Sequence, residues 1–508
     1  MLRTSPYLIA FVVLFSAAEC AAELKEVAPG VYFRLGDLAR GQSNGGFIVC
    51  NDYVIAIEAP SPDASKEMLE EVKKITDKPV RFIIITHGHW DHDGGLDVFL
   101  QQGVTAIVHE KLHAKYVEKA KAGSYMGVSE KLALTDGGRT IEVFTRGTAH
   151  SPTDLFVYLA KEGVLFTGDS SVSTQAAWLG ESDLQNWIDV LAALGKLEGL
   201  KTVCPGHGAA GGPEILGNLA AYLTRLRDEV AFQITMGRAY EVALAQVKLP
   251  ENEKFGTKDS LKDHVKAAYT QLTADPPVPP ADLMPRALVL IGDHYHPPSY
   301  IRPALEAAFR AIGLPAQFIY DVTKLNAKSL KNARLLVVLR DGMIWPNITA
   351  QKPDGEAVWW MTAEQEKAIA DFVSNGGGFL ALHNATALRR IDAAESLYRT
   401  VLGSSYNGHG ASDEKFTVKV VNTEHPVTKG VSEYTAVDER HDPTMSAKDA
   451  AILLQAISGD KTSVNGYVRT FGKGRVCHLA NGHNIEMLAC PAMQHLIANA
   501  AQWCCRAE

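Results

Sequence analysis

Phe82-Ile83-Ile84-Ile85-Thr86-His87-Gly88-His89-Trp90-Asp91-His92-Asp93-Gly94-Gly95 joins an apolar, β-type run to four candidate metal ligands in six residues. In extended backbone, side chains i and i+2 share a face, so His87 and His89 can reach one ion together. Asp91 and His92 lie just beyond, where Gly94-Gly95 must turn the chain, and can face a second ion. Imidazole and carboxylate suit zinc and related divalent metals. A thiolate-rich structural site would need cysteines that are absent from this stretch.

One cluster cannot complete two metal spheres. The chain supplies three further ligands, each beside an apolar or β-branched run. His150 stands in Gly147-Thr148-Ala149-His150-Ser151-Pro152-Thr153-Asp154, ahead of Leu155-Phe156-Val157-Tyr158-Leu159. Asp169 ends Val164-Leu165-Phe166-Thr167-Gly168-Asp169, and His207 falls in Thr202-Val203-Cys204-Pro205-Gly206-His207-Gly208. A strand followed by a ligand thus recurs four times, as in a sandwich that gathers its loops at one edge. His109, His113 and His264 lack this context and read as structural. Trp90, inside the motif, reads as packing.

In this order, H-x-H-x-D-H, T-A-H-S-P, F-T-G-D-S and C-P-G-H-G resemble the metallo-β-lactamase-fold hydrolases, over roughly Val27 to Tyr240. The resemblance implies an α/β fold, an αββα sandwich with two metal ions in a cleft along one edge. It implies that His87, His89 and His150 bind the first ion and that Asp91, His92 and His207 bind the second. Asp169 would bridge them, and Asp91 would also orient the nucleophile as a catalytic residue. Two divalent ions, zinc foremost, would share a water, lower its pKa from ~15.7 towards ~7 and hold a bridging hydroxide. An aspartate at position 169 looks like glyoxalase II, lactonases and phosphodiesterases, whereas β-lactamases of this fold usually carry cysteine or serine there. Histidine at position 89 separates the chain from the diiron branch, which usually carries glutamate. The expected reaction is cleavage of an ester, thioester, lactone or phosphoester in a small-molecule substrate. β-Lactam hydrolysis is the alternative.

A length of 508 residues is too much for one core and suggests two or three domains. The net charge of −8 and the lack of any basic block leave nucleic acid without an electrostatic footprint. Residues 1–22 read as a secretory signal peptide: Arg3, then the apolar stretch Tyr7 to Ala18, then small residues before a cut after Ala22. The protein is therefore expected to be exported, periplasmic or secreted, with no transmembrane segment once the signal is removed. Beyond the signal stand Cys50, Cys204, Cys477, Cys490, Cys504 and Cys505, an even number that allows disulfides in an exported chain. Cys477 or Cys490 with Cys504 or Cys505 are the candidate pairs.

The hydrolase domain is read over residues 23–212 and a helical extension over 213–273. There Leu216, Leu219, Tyr222, Leu223 and Leu226 recur at helical spacing. That extension would either shape substrate access or cap the sandwich. The loops 112–133 and 172–185 carry Tyr125, Met126 and Trp178, and with Trp187 these are candidates to line the cleft. Residues 274–285, with Pro276-Pro277-Val278-Pro279-Pro280, form a linker.

A second α/β domain is read over 286–508. Ala287-Leu288-Val289-Leu290-Ile291, Ala316 to Asp321 and Leu335 to Leu339 are strand-like. Thr362-Ala363-Glu364-Gln365 reads as a helix-opening cap, and Gly376-Gly377-Gly378 closes that helix before Phe379-Leu380-Ala381-Leu382-His383. The alternation predicts a doubly wound parallel sheet. Gly376 to His383, Val401-Leu402-Gly403, Glu424-His425-Pro426-Val427, Val437-Asp438-Glu439, Gly474-Arg475-Val476 and Gly482-His483 resemble the trehalose-utilisation (ThuA-like) family of the class I glutamine-amidotransferase-like fold. The amidotransferase elbow carries a cysteine nucleophile, but here the turn is Leu382-His383-Asn384-Ala385, which excludes thiolate chemistry. His383, His425, Glu439 and His483 form a candidate second-domain site, which Asp293, His294 and His296 could join. A metal or a carbohydrate is its expected ligand. A sugar-binding protein with a vestigial metal site is the rival from another functional class.

Overall fold

The computed structural model describes residues 23–118, 124–173, 177–250, 255, 258–276, 286–346, 357–390, 392 and 395–506. The signal peptide and residues 277–285 of the linker lie outside them. The described chain divides into two compact units, one running to Ala221 and the other beginning at Tyr222. The division falls inside the helix Glu214–Thr235, so most of the helical stretch over 213–273 groups with the second unit.

The first unit holds two sheets. Seven strands follow one another in chain order from Leu24–Ala28 to Ser124–Val128. The second sheet has the order Thr202–His207, Val164–Val172, Phe156–Leu159, Arg139–Phe144 and Lys131–Asp136. Strand alternation decides the layering. Ile55, Ile57, Ile84 and Ile107 join Val143, Val157 and Phe166 in a core shared by the two sheets. Their neighbours Val54, Ala56, Ile83 and Ala106 turn the other way, onto Met68, Leu69, Phe99 and Leu112 of the covering helices. Each fully buried Val, Ile, Leu, Met or Phe among them contributes ~1.5–3 kcal/mol, which fixes the register of the strands that end in ligands. The helix Leu184–Leu194 lies against the second sheet, where the buried Trp187 indole donates to Ser170 O at 2.9 Å. The result is the expected αββα sandwich.

The second unit carries a nine-stranded sheet. Ala316–Ile319, Ala287–Ile291, Leu335–Leu339, Gly378–Leu382 and Gly474–Leu479 are parallel neighbours in that spatial order. Four antiparallel strands then extend it: Lys461–Phe471, Ala451–Ser458, Glu414–Val420 and Tyr434–Asp438. The doubly wound parallel core is present, but nearly half the sheet is antiparallel. The local signals hold: Thr362 and Gln365 form a reciprocal capping box on the helix Ala363–Ser374. No described helix is long and apolar enough to cross a membrane.

The cysteine expectation is corrected. All six cysteines in the described chain are free thiols. Cys477 and Cys504 are buried packing residues, and Cys504 Sγ donates to Phe379 O at 3.5 Å. Burial pushes both thiols up from their ordinary pKa.

Candidate metal centres

The strand Val80–Ile84 delivers Thr86 and His87 to the edge of the sandwich, and His89 caps the short helix Trp90–Asp93 that carries Asp91 and His92. His150 arrives on a loop tied by Asp154, which accepts from Ala149 N at 3.0 Å and from Ser151 N and Oγ at 2.9 and 2.7 Å. Asp169 sits within the strand Val164–Val172, and His207 ends its parallel neighbour Thr202–His207. Asn44 braces that last loop, its Nδ2 donating to Pro205 O and Gly208 O at 2.8 and 2.7 Å.

Seven predicted ligands therefore converge. His87 Nε2 and His150 Nε2 stand 3.0 and 3.1 Å from His89 Nδ1. One ring nitrogen cannot satisfy both neighbours as a hydrogen-bond partner, whereas the edge of a tetrahedron around a zinc-sized ion is ~3.3 Å. With Asp169, these three form one group whose ligand atoms all lie within 4.8 Å of each other. Asp91, His92, Asp169 and His207 form a second such group. There His92 Nε2 is 3.1 Å from Asp169 Oδ1, and His207 Nε2 is 3.2 Å from Asp91 Oδ2 and 3.4 Å from Asp169 Oδ1. Asp169 belongs to both groups, as a bridging carboxylate would. His92 Nε2 and Asp169 Oδ1 are buried without a well-aligned hydrogen bond, as ligands shaped for a cation would be. The donor set fits two divalent ions.

Electrostatics agree. Burial opposes charge on Asp169, but the charges of His92 and His207 outweigh it and hold the carboxyl well below its ordinary range. Burial likewise opposes charge on His207, yet Asp169 and the hydrogen bonds to Asp169 and Asp91 lift it to about 9. Burial lowers His150 to about 4, and the opposing charge of Asp169 does not offset it.

Glu58 was not foreseen. It follows the strand Val54–Ile57 in left-handed backbone, φ 67°, and is almost fully buried. Its Oε1 lies 3.1 Å from His92 Nδ1 and accepts from Thr86 Oγ1, which is 3.1 Å from His87 Nδ1. One carboxylate thus orients ligands of both groups. A lone glutamate after an apolar run carries no sequence signal for this role.

The cleft over the ligands has a volume of about 440 Å³. Trp178 and Glu181 line it, and Trp178 is 52 % exposed with its ring 5.0 Å from His89. Trp90 also lines it at 66 % exposure, so the expectation that Trp90 packs is corrected. It sits on the outer side of its short helix, whose one buried residue is His92. Trp187 packs behind His150, at 5.4 Å, instead of facing the cleft. Tyr125 packs on Tyr116 at 5.6 Å. His109 and His264 are structural, bonded to Lys111 N and Tyr222 OH.

In the second unit His383, Glu439 and His483 come together, joined by His296. His425 does not. Asp438 pairs with Glu414 at one end of a hairpin, while His425 follows the other end, past Val420, ~20 Å of strand away. His425 packs instead on Trp503, with ring centroids 5.1 Å apart. His294 packs edge-on against Tyr295 at 4.8 Å and stays outside the group.

Comparison with known proteins finds a family similarity in each unit. Residues 57–207 match the metallo-beta-lactamase superfamily, and residues 286–504 match the trehalose utilisation (ThuA) family. The chain is similar to metallo-beta-lactamase type 2 of Bacteroides fragilis, 28% identical over 181 residues, covering 34% of this chain and 72% of that protein. It is also similar to metallo-beta-lactamase type 2 of Bacillus cereus, 28% identical over 178 residues, 33% of this chain and 68% of that protein. Among solved structures, a metallo-beta-lactamase from Pontibacter korlensis aligns with a TM-score of 0.37 at 24% identity, covering 40% of this chain and 98% of that one.

Proposed function

On a chain that joins a metal-dependent hydrolase domain of the metallo-beta-lactamase superfamily to a ThuA domain, we propose an exported dinuclear zinc hydrolase of an ester, thioester, lactone or phosphoester. The observation that carries this reading is Asp169, shared by two groups of ligands in one cleft. His87, His89, His150 and Asp169 would hold one ion, and Asp91, His92, His207 and Asp169 the other. Bound there, two divalent ions would supply Lewis acidity and a nucleophilic water at neutral pH.

The chain's own residues do the rest. Asp91 is partly buried, yet its carboxyl is held below its ordinary range and remains an anion. Burial alone would raise it, but the hydrogen bond from His207 and the charge of His92 prevail. It can therefore hold a proton acceptor at the floor of the cleft through the neutral pH range and orient an attacking water. Trp90 and Trp178 offer apolar walls for the substrate's non-reacting part, and Glu181 makes one rim anionic.

β-Lactam hydrolysis is a second reading, favoured by the names of the similar proteins. The aspartate at position 169 argues for the first.

The test is metal content and turnover of the purified protein with ester, thioester, lactone, phosphodiester and β-lactam substrates, beside an Asp91→Ala, His92→Ala variant. About two zinc equivalents at the first unit, with turnover lost in the variant, support the reading. Turnover confined to β-lactams moves it to the second. Turnover unchanged in the variant overturns both.

A further inference from the structure

The second unit gathers four ligand-type side chains at the C-terminal ends of its strands, where open α/β sheets bind ligands. His296 follows the strand Ala287–Ile291, His383 follows Gly378–Leu382, His483 follows Gly474–Leu479, and Glu439 follows Tyr434–Asp438. Their ligand atoms all lie within 4.8 Å of one another. We propose that this group is a separate mononuclear site for a first-row divalent cation, held by His296 Nε2, His383 Nε2, His483 Nδ1 and Glu439 Oε2.

Three observations carry it. Distances come first: His296 Nε2 is 3.1 Å from His483 Nδ1, and Glu439 Oε2 is 3.5 Å from His383 Nε2 and 3.7 Å from His483 Nδ1. Those separations bracket the ~3.3–3.5 Å edge of a tetrahedron with zinc-type bond lengths.

The outer partners come second. His296 Nδ1 is 2.8 Å from Asp293 Oδ1, and His383 Nδ1 is 3.0 Å from Ala480 O. Both acceptors demand the proton on Nδ1, which leaves each Nε2 lone pair aimed at the group, the arrangement that orients metal-ligating histidines. Asp293 is itself fixed by Asn384 Nδ2 at 2.8 Å and Asp341 N at 3.0 Å. The fully buried Asp438 accepts from Gly482 N and His483 N at 2.8 and 3.0 Å, so the loop that carries His483 is also held.

His383 supplies the third. It is fully buried, and its Nε2 has no hydrogen-bond partner. It also sits in left-handed backbone, φ 45°. Among the described residues only Glu58 and His383 combine a side chain with such a φ, and the other one serves the first metal cleft. Strain of this kind persists where the surroundings over-determine it.

Imidazole nitrogens with one carboxylate suit zinc and its first-row neighbours, not magnesium or calcium. His483 and Glu439 keep some exposure, their side chains 22 % and 13 % accessible, and His409 stands 3.2 Å from Glu439 Oε1 on the open side. Water or an oxygen ligand can therefore reach the ion. The inference does not depend on the hydrolase reading, because no residue is shared.

The test uses the full chain, stripped with a chelator and dialysed against cobalt(II). A variant of the first cleft, His87→Ala with Asp169→Ala, should stay folded and keep about one cobalt equivalent with the visible absorption of a nitrogen-rich site. Adding Glu439→Gln and His483→Ala, both partly exposed and so mild in packing, should abolish that signal. Wild type should bind one equivalent more than the Glu439→Gln, His483→Ala variant. Circular dichroism checks folding in each case. A folded first-cleft variant that binds no cobalt, or a signal that survives loss of Glu439 and His483, overturns the proposal. Failure of the hydrolase reading would show separately, as cobalt binding unchanged by His87→Ala with Asp169→Ala.

Discussion

Glu58 Oε1 lies 3.1 Å from His92 Nδ1, and the same oxygen accepts from Thr86 Oγ1 beside His87. This buried carboxylate thus stands behind one ligand of each group, and with His87 and His92 it forms a further ligand-type group. Outer partners of this kind typically govern metal affinity by ~10–100-fold. Glu58→Ala should weaken zinc binding in the first unit by about that range, and Glu58→Gln, which keeps an acceptor, by less. Competition against a chromophoric chelator reads both. Equal affinity in wild type and Glu58→Ala would reduce Glu58 to a packing residue.

A proton balance follows from His207. In the metal-free protein its pKa is raised to about 9, above the ordinary 6.5, against burial and through Asp169 and Asp91. Its charged pairing therefore stabilises the metal-free fold fully below pH 6.5, and this contribution is lost as pH rises through about 9. A metal ion must displace that proton. Zinc affinity should then rise about tenfold per pH unit per proton displaced, between pH 6.5 and 9. Titrations at several pH values, in buffers of different ionisation enthalpy, count the protons released. An affinity flat with pH would contradict the balance.

Gly206 gives a test by close packing. An added Cβ would meet Asp169 Oδ1 at 2.1 Å and Gly168 C at 2.6 Å. Gly206→Ala must push the Asp169 carboxylate or the strand behind it, at ~1–3 kcal/mol. We expect a lower melting temperature even with chelator present, and a further deficit in the stabilisation that zinc provides. A normal zinc-induced shift would mean that Asp169 is free to relocate.

Trp178 separates binding from chemistry. Its ring is half-exposed in the cleft, at 5.0 Å from His89. Removing an aromatic wall of this kind costs ~1–1.5 kcal/mol, or roughly tenfold in affinity. Trp178→Ala should raise KM by about that factor and leave kcat and zinc content nearly unchanged. A fall in kcat with loss of zinc would instead show that Trp178 positions His89.

The candidate metal ligands of the first unit were legible because each lies beside an apolar run, and the buried strands bring those segments to a common edge. His87 and His207 come off strand ends and Asp169 lies within a strand, whereas Asp91 and His92 reach the cleft on the short helix Trp90–Asp93 and His150 on the loop before Phe156–Leu159. Trp90 misled because its neighbours are ligands on a four-residue helix, a turn too short to bury both faces. His425 misled because it was grouped with Glu439 by family motif, whereas the hairpin between them runs away from the site. The antiparallel half of the second sheet escaped notice because its strands are half-exposed and carry weaker apolar runs than the buried parallel ones.

Residue order alone determined which strands end in ligands, where the helices cap and which chemistry the donors suit, since alternation and capping act over a few residues. It could not assign Glu58 its place behind His92, or exchange His425 for His296 in the second group. Those depend on which distant loops the sheet order brings to one edge: Glu58 meets His92 across 34 residues and His296 meets His483 across 187. Only the packed sheets, whose cores fix register and hence the direction of every side chain at the strand ends, decide such pairings.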